Sequence, residues 1–296
     1  MLGLDLDDAR AIAVRVDDRG AVQARAVVDA QGDLAAAAAR ALGEVTSAAS
    51  DERVLGVAAF NPESPTIVAV LAGLSRRFAG PFTQTGAMPA GTAAAVAETW
   101  VGAARGVNDV VFFAVADHTF GGVVRGGAAM VGARGRAASI AWLALNPVER
   151  EDYRKIGCLE AEVAAAGIVR RLIWRVKAGD RSRVQDVVND DLSAITLRHV
   201  LDCARTGDGV SISVVRDTAK YLGMAAANLV VVCDPEMLVL GGIIASSADL
   251  FLDLMKTEIA RRLPKAMMDA LIVEAATLGA DAAAIGAARL AGAAPP

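Results

Sequence analysis

One pattern occurs twice along this chain, and it constrains the fold more than any single motif does. A short apolar strand runs into a tight turn, a second strand leaves the turn, a third follows, and a helix comes next. The first copy opens on "GLDLDDARAIAV" (residues 3–14) and continues through the Asp-Arg-Gly turn of "DDRGAVQARAVVDA". It reaches the alanine-rich helix "GDLAAAAARALGEVTSAAS" (residues 32–50), with Asp33 as N-cap. The second copy starts at "NDVVFFAV" (residues 108–115), turns at "ADHTFGG", forms a strand pair over "VVRGGAAMVG" and later enters the helix "CLEAEVAAAGIVRRLIWRVK". The offset is roughly 110 residues, an ordinary domain length. A duplicated mixed sheet with helices on it predicts an α/β fold of two lobes with an interlobe cleft. The turns at Asp7 and near His118 leave strand ends, where ligands of α/β lobes bind.

Between the copies, "RVLGVAAF" reads as a buried strand, "PTIVAVLAGLSRRFAG" as a helix ending at Gly80, and "TAAAVAETWVGAARG" as another helix. The expected division is an N-terminal lobe over residues 1–106, joined by a closing helix at 279–292, and a C-terminal lobe over 107–278. Hydrophobic residues make up 54% of the chain and aromatics only 4%, so the core must be built from Ala, Val, Leu and Ile. That composition excludes disorder.

The net charge of −4 gives no basic face for nucleic acid, no DNA-reading motif is present, and the chain opens directly on a strand. Direct nucleic-acid binding is therefore not expected. No apolar run reaches the length of a membrane span, and an opening with Asp5, Asp7 and Asp8 differs from a signal peptide. Cys158, Cys203 and Cys233 are widely spaced, as reduced thiols of a cytoplasmic protein would be.

The C-terminal half carries a series of motifs: "GCLEAEVAAAGI" (residues 157–168), "ARTGD" (204–208), "YLGMAAANLVVVCDPEMLVLGG" (221–242) and "GADAAAIGAARLAG" (279–292). In this order and spacing they resemble the ROK family, the sugar kinases and sugar-responsive repressors on the actin-like ATPase (ribonuclease H-like) fold. The resemblance implies that Gly241 and Gly242 form an adenosine loop and that Glu160 contacts sugar. It also implies ATP with magnesium, a structural zinc, and self-association into dimers or tetramers.

The chain departs from that pattern at four places. The family's first phosphate turn reads Asp-x-Gly-Gly-Thr; here Asp5 is kept, but Asp7, Asp8 and Ala9 fill the rest. Glycines let backbone N–H groups close on phosphate oxygens, whereas carboxylates repel them. Asp7 and Asp8 read as solvated turn residues, with a cation site made by Asp5, Asp7 and Asp8 as the alternative. The second turn, Gly-Thr-Gly-x-Gly in the family, is residues 116–122 here, with Asp117, His118 and Phe120 at its centre. His118 reads as an ordinary turn histidine, with an acid/base pair to Asp117 as the alternative. The family's general base falls on Ala90, which cannot accept a proton, and Glu98 and Asp109 lie off the pattern. The sugar- and zinc-contacting Glu-x-Gly-His falls on residues 139–142, and of the zinc cysteines only Cys158 remains, with Glu151 and Tyr153 at the earlier positions. One thiolate cannot hold a tetrahedral zinc, and Trp142 is expected to fill the hole. Glu160 reads either as a first-turn acid favoured by the helix dipole or as a retained ligand contact.

The expectation is thus a ROK-like pseudokinase without phosphotransfer activity, a scaffold for a metabolite, a sugar or a protein partner, and a homo-oligomer. No cofactor is expected, with ATP, magnesium and zinc lost. Ligand-binding candidates are Glu160, Asp5, Gly241 and Gly242; no catalytic or metal residue is assigned. The alternatives are an ATP-dependent sugar kinase with a non-standard site and a sugar-sensing regulatory module.

Overall fold

The structure is a computed structural model that describes residues 1–46 and 54–293. It has an α/β architecture with two mixed five-stranded sheets, the fold class the duplicated pattern predicts. In the first sheet, β1 (Leu2–Leu6) lies at the centre. It pairs antiparallel with β2 (Arg10–Val16), which pairs antiparallel with β3 (Val22–Asp29). On the other side β1 pairs parallel with β4 (Leu55–Ala59), which carries the short β5 (Met88–Pro89). The second sheet repeats this order. Here β6 (Val110–Val115) is central, flanked by β7 (Thr119–Arg125) and β8 (Ala128–Ala129) on one side, and by β9 (Met237–Gly242) and β10 (Ile272–Ala275) on the other. The turns β1–β2 and β6–β7 therefore hold equivalent places in the two sheets.

The chain divides into two compact units. One comprises Met1–Phe112, Gly121–Ala138 and the segment from Ala276 onward; the other comprises Phe113–Phe120 and Ser139–Ala275.

The poverty in aromatics has a structural counterpart in the first unit. The helix Ala282–Ala293 lies so close to its neighbours that a Cβ on Gly3 or Gly56 would come within 1.9 Å of the carbonyls of Ala284 and Ala287. A Cβ on Gly286 would meet the Ala93 carbonyl at 1.8 Å. Alanine and glycine make this contact because nothing larger fits, and van der Waals contact of backbone on backbone replaces side-chain volume.

Three local expectations need correction. The helix expected to run to Gly80 spans Pro65–Leu74, because the chain tightens where Arg77 N and Phe78 N both donate to the Leu74 carbonyl. The single helix expected over residues 158–177 is two, Cys158–Val163 and Ala165–Lys177, broken where Ala164 turns extended at ψ 162°. The alanine-rich helix spans Leu34–Val45, capped by Asp33 as expected; residues 47–50 of that expectation and Arg53 of the following strand lie outside the described residues. Among the described residues, no helix is long and apolar enough to cross a membrane.

Candidate functional site

The β1–β2 turn closes on itself. Asp7 Oδ1 accepts hydrogen bonds from Ala9 N and Arg10 N, both at 2.8 Å, and Asp7 Oδ2 faces Arg10 Nε at 3.3 Å. The amides that glycines would leave open to an anion are thus occupied by the turn's own carboxylate, a common habit of aspartate in turns. Asp8 is exposed. Asp5, on β1, is different: its Oδ1 is sealed from solvent and accepts no hydrogen bond among the described residues. Burial, and then the charge of Asp7, push its carboxyl up to about 7, against the opposing pull of Arg10 and of the Leu6 amide.

The β6–β7 turn is held from outside. Glu160, only 6% exposed, lies on the short helix Cys158–Val163 and spends both oxygens on this turn. Its Oε2 accepts from Thr119 N at 3.0 Å, and its Oε1 lies 2.9 Å from His118 Nδ1. The Ala116 carbonyl of the same turn accepts from Ala165 N, at the start of the next helix. Glu160 is thus a first-turn acid and also the partner of His118, whereas the alternative considered from sequence paired that histidine with Asp117. Local pattern gives no sign of a contact spanning 42 residues. The imidazole side chain is 41% exposed, and a carboxylate beside Nδ1 favours a proton on that nitrogen.

Ala90 opens the helix Ala90–Trp100 and is buried among Ala58, Ala93, Ala283 and Ala287, an apolar setting with no proton acceptor in its side chain. Glu98, on the same helix, is a structural carboxylate. It is fully buried and accepts from Ala103 N, Thr277 N, Thr277 Oγ1 and Leu278 N. The glycines Gly121 and Gly122 serve packing: a Cβ on either Gly91 or Gly122 would strike the backbone of the other segment at 2.0–2.2 Å. Gly241 is buried and Gly242 is exposed at the end of β9. Gly242 has φ +65°, and a Cβ there would lie 1.9 Å from the Val115 carbonyl, so the backbone itself demands glycine. Asp208 of "ARTGD" caps the helix Gly209–Cys233. Burial raises its carboxyl, but hydrogen bonds from Ser211, Arg183 and Ser182 outweigh it and hold the group below the ordinary range.

The expected metal knuckle is filled otherwise. Trp142 is 57% exposed and does not plug it; the space beside Cys158 is taken by Tyr153, Ala161 and Leu145. Gly157, at φ +95°, lets the chain pass the Ala141 carbonyl, which a Cβ would meet at 2.2 Å. The Tyr153 hydroxyl donates to Glu162 Oε1 at 2.5 Å, and burial together with that carboxylate pushes the phenol up to about 12. Among the described residues no three His, Cys, Asp or Glu side chains gather to hold a metal ion, so the set around Cys158 does not fit zinc, nor does the turn of Asp5, Asp7 and Asp8 make a cation cage.

Comparison with known proteins gives a consistent result. The ROK family profile matches residues 74–294. A glucokinase of Halalkalibacterium halodurans is 32% identical over 196 residues, 65% of this chain and 59% of that protein. The chain therefore spans little more than half the length of this relative. A ROK hexokinase from Thermus thermophilus superposes with TM-score 0.75 at 26% identity, covering 98% of each chain. A ROK glucokinase from Streptomyces griseus, solved with glucose and AMPPNP, superposes with TM-score 0.80 over 99% of both chains at 22% identity, which speaks for the fold. These findings overturn the expectation of a pseudokinase, because the relatives are named sugar kinases and favour the alternative of an active one. The expectation rested on motif positions read one at a time and did not foresee the His118–Glu160 pair. With its profile match over most of its length and its two-sheet fold, the chain belongs to the ROK family.

Proposed function

We propose that this chain is an ATP-dependent sugar kinase with a non-standard site, in which the His118–Glu160 pair handles the sugar hydroxyl. The observation that carries this reading is the buried Glu160 carboxylate bound to Nδ1 of a partly exposed imidazole. Carboxylate behind imidazole is an arrangement that orients a general base and steadies the imidazolium it becomes. In the proposed reaction the sugar oxygen attacks the γ-phosphorus and the bond to the β-phosphate oxygen breaks. ADP departs, and the hydroxyl proton passes to His118 Nε2. Ala90 takes no part.

The test is a coupled ADP-release assay on pure protein with magnesium ATP and a panel of hexoses and N-acetylhexosamines. Sugar-dependent ADP formation is expected, falling about 10²–10⁴-fold in His118→Ala. No ADP with any sugar sinks the kinase reading. Ala90 favours a second reading, a sugar-responsive regulatory module. That reading is upheld if sugars raise the melting temperature, a ligand at 100 times its Kd stabilising the folded state by about 2.7 kcal/mol, while ADP never forms. Self-association belongs to either reading and is checked by light scattering.

A further inference from the structure

Glu160 and Glu162 lie two residues apart on the helix Cys158–Val163, and their side chains engage different partners. Glu160 holds the β6–β7 turn. Glu162, also buried, receives three donors: Tyr153 Oη at 2.5 Å, Arg150 Nη1 at 3.0 Å and Arg171 Nη2 at 2.7 Å. Arg171 also donates to the Glu162 carbonyl at 2.9 Å, and Arg170 to the Ala161 carbonyl at 2.6 Å. These two carbonyls lie in the last turn of the helix, where no intrahelical amide reaches them. Arg171 extends the network to Thr218 Oγ1 of the long helix Gly209–Cys233 at 2.8 Å. Arg150 stacks on Tyr153 and Trp174 at 4.9 and 5.2 Å. A six-residue helix has no stability of its own, so its position is set by what grips it.

We propose that Glu162, gripped by Tyr153, Arg150 and Arg171, is the positioning centre of the site: it fixes this short helix so that Glu160 meets His118 Nδ1, and it does so without a metal. Glu162 touches neither the imidazole nor the turn; it acts through the helix. The work is done by charge-assisted hydrogen bonds to a buried carboxylate, which are short, directional and costly to leave half-made. The importance of His118 to catalysis rests on the kinase reading above, but the positioning itself does not.

The experiment reads the imidazole directly. The chain has two histidines, so ring ¹⁵N spectra of the full-length protein resolve into His118 and His199, assigned with His199→Gln. In the parent protein the neutral ring of His118, observed at a pH where the histidines are deprotonated, is expected to hold one tautomer, with the proton on Nδ1. Glu160→Gln, as reference, disturbs that signature. Glu162→Gln is expected to shift the His118 signals toward a mixture of tautomers and to weaken Kd for any sugar bound by the parent several-fold. Tyr153→Phe should do the same to a smaller extent, and it carries the test if Glu162→Gln does not fold. EDTA and Cys158→Ser are expected to leave the His118 signals and the melting temperature unchanged. A folded Glu162→Gln or Tyr153→Phe protein with the parent's tautomer overturns the proposal. So does a loss of that tautomer on chelation. A protein with the expected imidazole response but no ADP formation upholds the positioning and fails only the kinase reading.

Discussion

The turns β1–β2 and β6–β7 occupy equivalent places in two sheets of the same order, yet they are stabilised in different ways. The first is satisfied within four residues, by Asp7 on the amides of Ala9 and Arg10. The second is satisfied from 41 residues away, by Glu160 on Thr119 N and His118. A self-satisfied turn gains stability at the expense of its capacity to take an anion. A turn held by a distant carboxylate keeps its histidine oriented, and its geometry becomes a property of the helix that carries the carboxylate. The two turns share a place in the strand order and differ in the chemistry that holds them.

The sharpest way to break the contrast is Glu160→Ala. It strips the second turn of both contacts and leaves a buried amide unpaired, so chemical denaturation should show a loss of roughly 3–4 kcal/mol, far more than the first turn can lose. A smaller effect, opposite in sign, is expected at Asp5. Its carboxyl titrates near 7 in the folded protein, against 3.8 for an ordinary aspartate, so between these values the native state keeps a proton that the unfolded chain has released. Stability therefore falls as pH rises through that window, and the contribution is intact only below about pH 4. Asp5→Asn should match the parent at pH 4 and exceed it at pH 8, by roughly 1–3 kcal/mol given the residue's partial exposure, as read from paired urea titrations. A smaller effect is expected for Asp7→Ala, which should cost about 1 kcal/mol because water replaces the lost acceptor at an exposed turn. The same variant sharpens the comparison if its freed amides bind inorganic phosphate, seen as amide shifts at residues 9 and 10. Asp8→Asn, on an exposed side chain, should change stability by no more than about 0.5 kcal/mol.

What was legible in the sequence follows from the range of the signals. The succession of strands, turns and helices came from a repeated local pattern, and the first turn's departure from a phosphate cradle was visible because Asp7 and the amides it binds are neighbours. The few aromatics foretold a core of Ala, Val, Leu and Ile, and Gly3, Gly56 and Gly286 let the closing helix approach it where even alanine is too large. His118 with Glu160, and Tyr153 with Glu162, were not legible, since each pair depends on how separate segments pack. Trp142 was misplaced for a related reason: an apolar residue at a motif position fills a hole only if the backbone turns it inward, and the inward space went to Tyr153. The break at Ala164 has no glycine or proline to announce it.

The helix Ala282–Ala293 belongs to the same unit as β1 and lies against that strand through contacts too close for any side chain at Gly3. During synthesis the opening strands leave the ribosome hundreds of residues before their cover does. The first sheet must then wait, one face unshielded, until the segment from residue 282 to 293 is made. Such long-range closure slows assembly and lengthens the exposure to aggregation, so a nascent chain stalled before residue 282 should engage chaperones that the finished protein no longer needs.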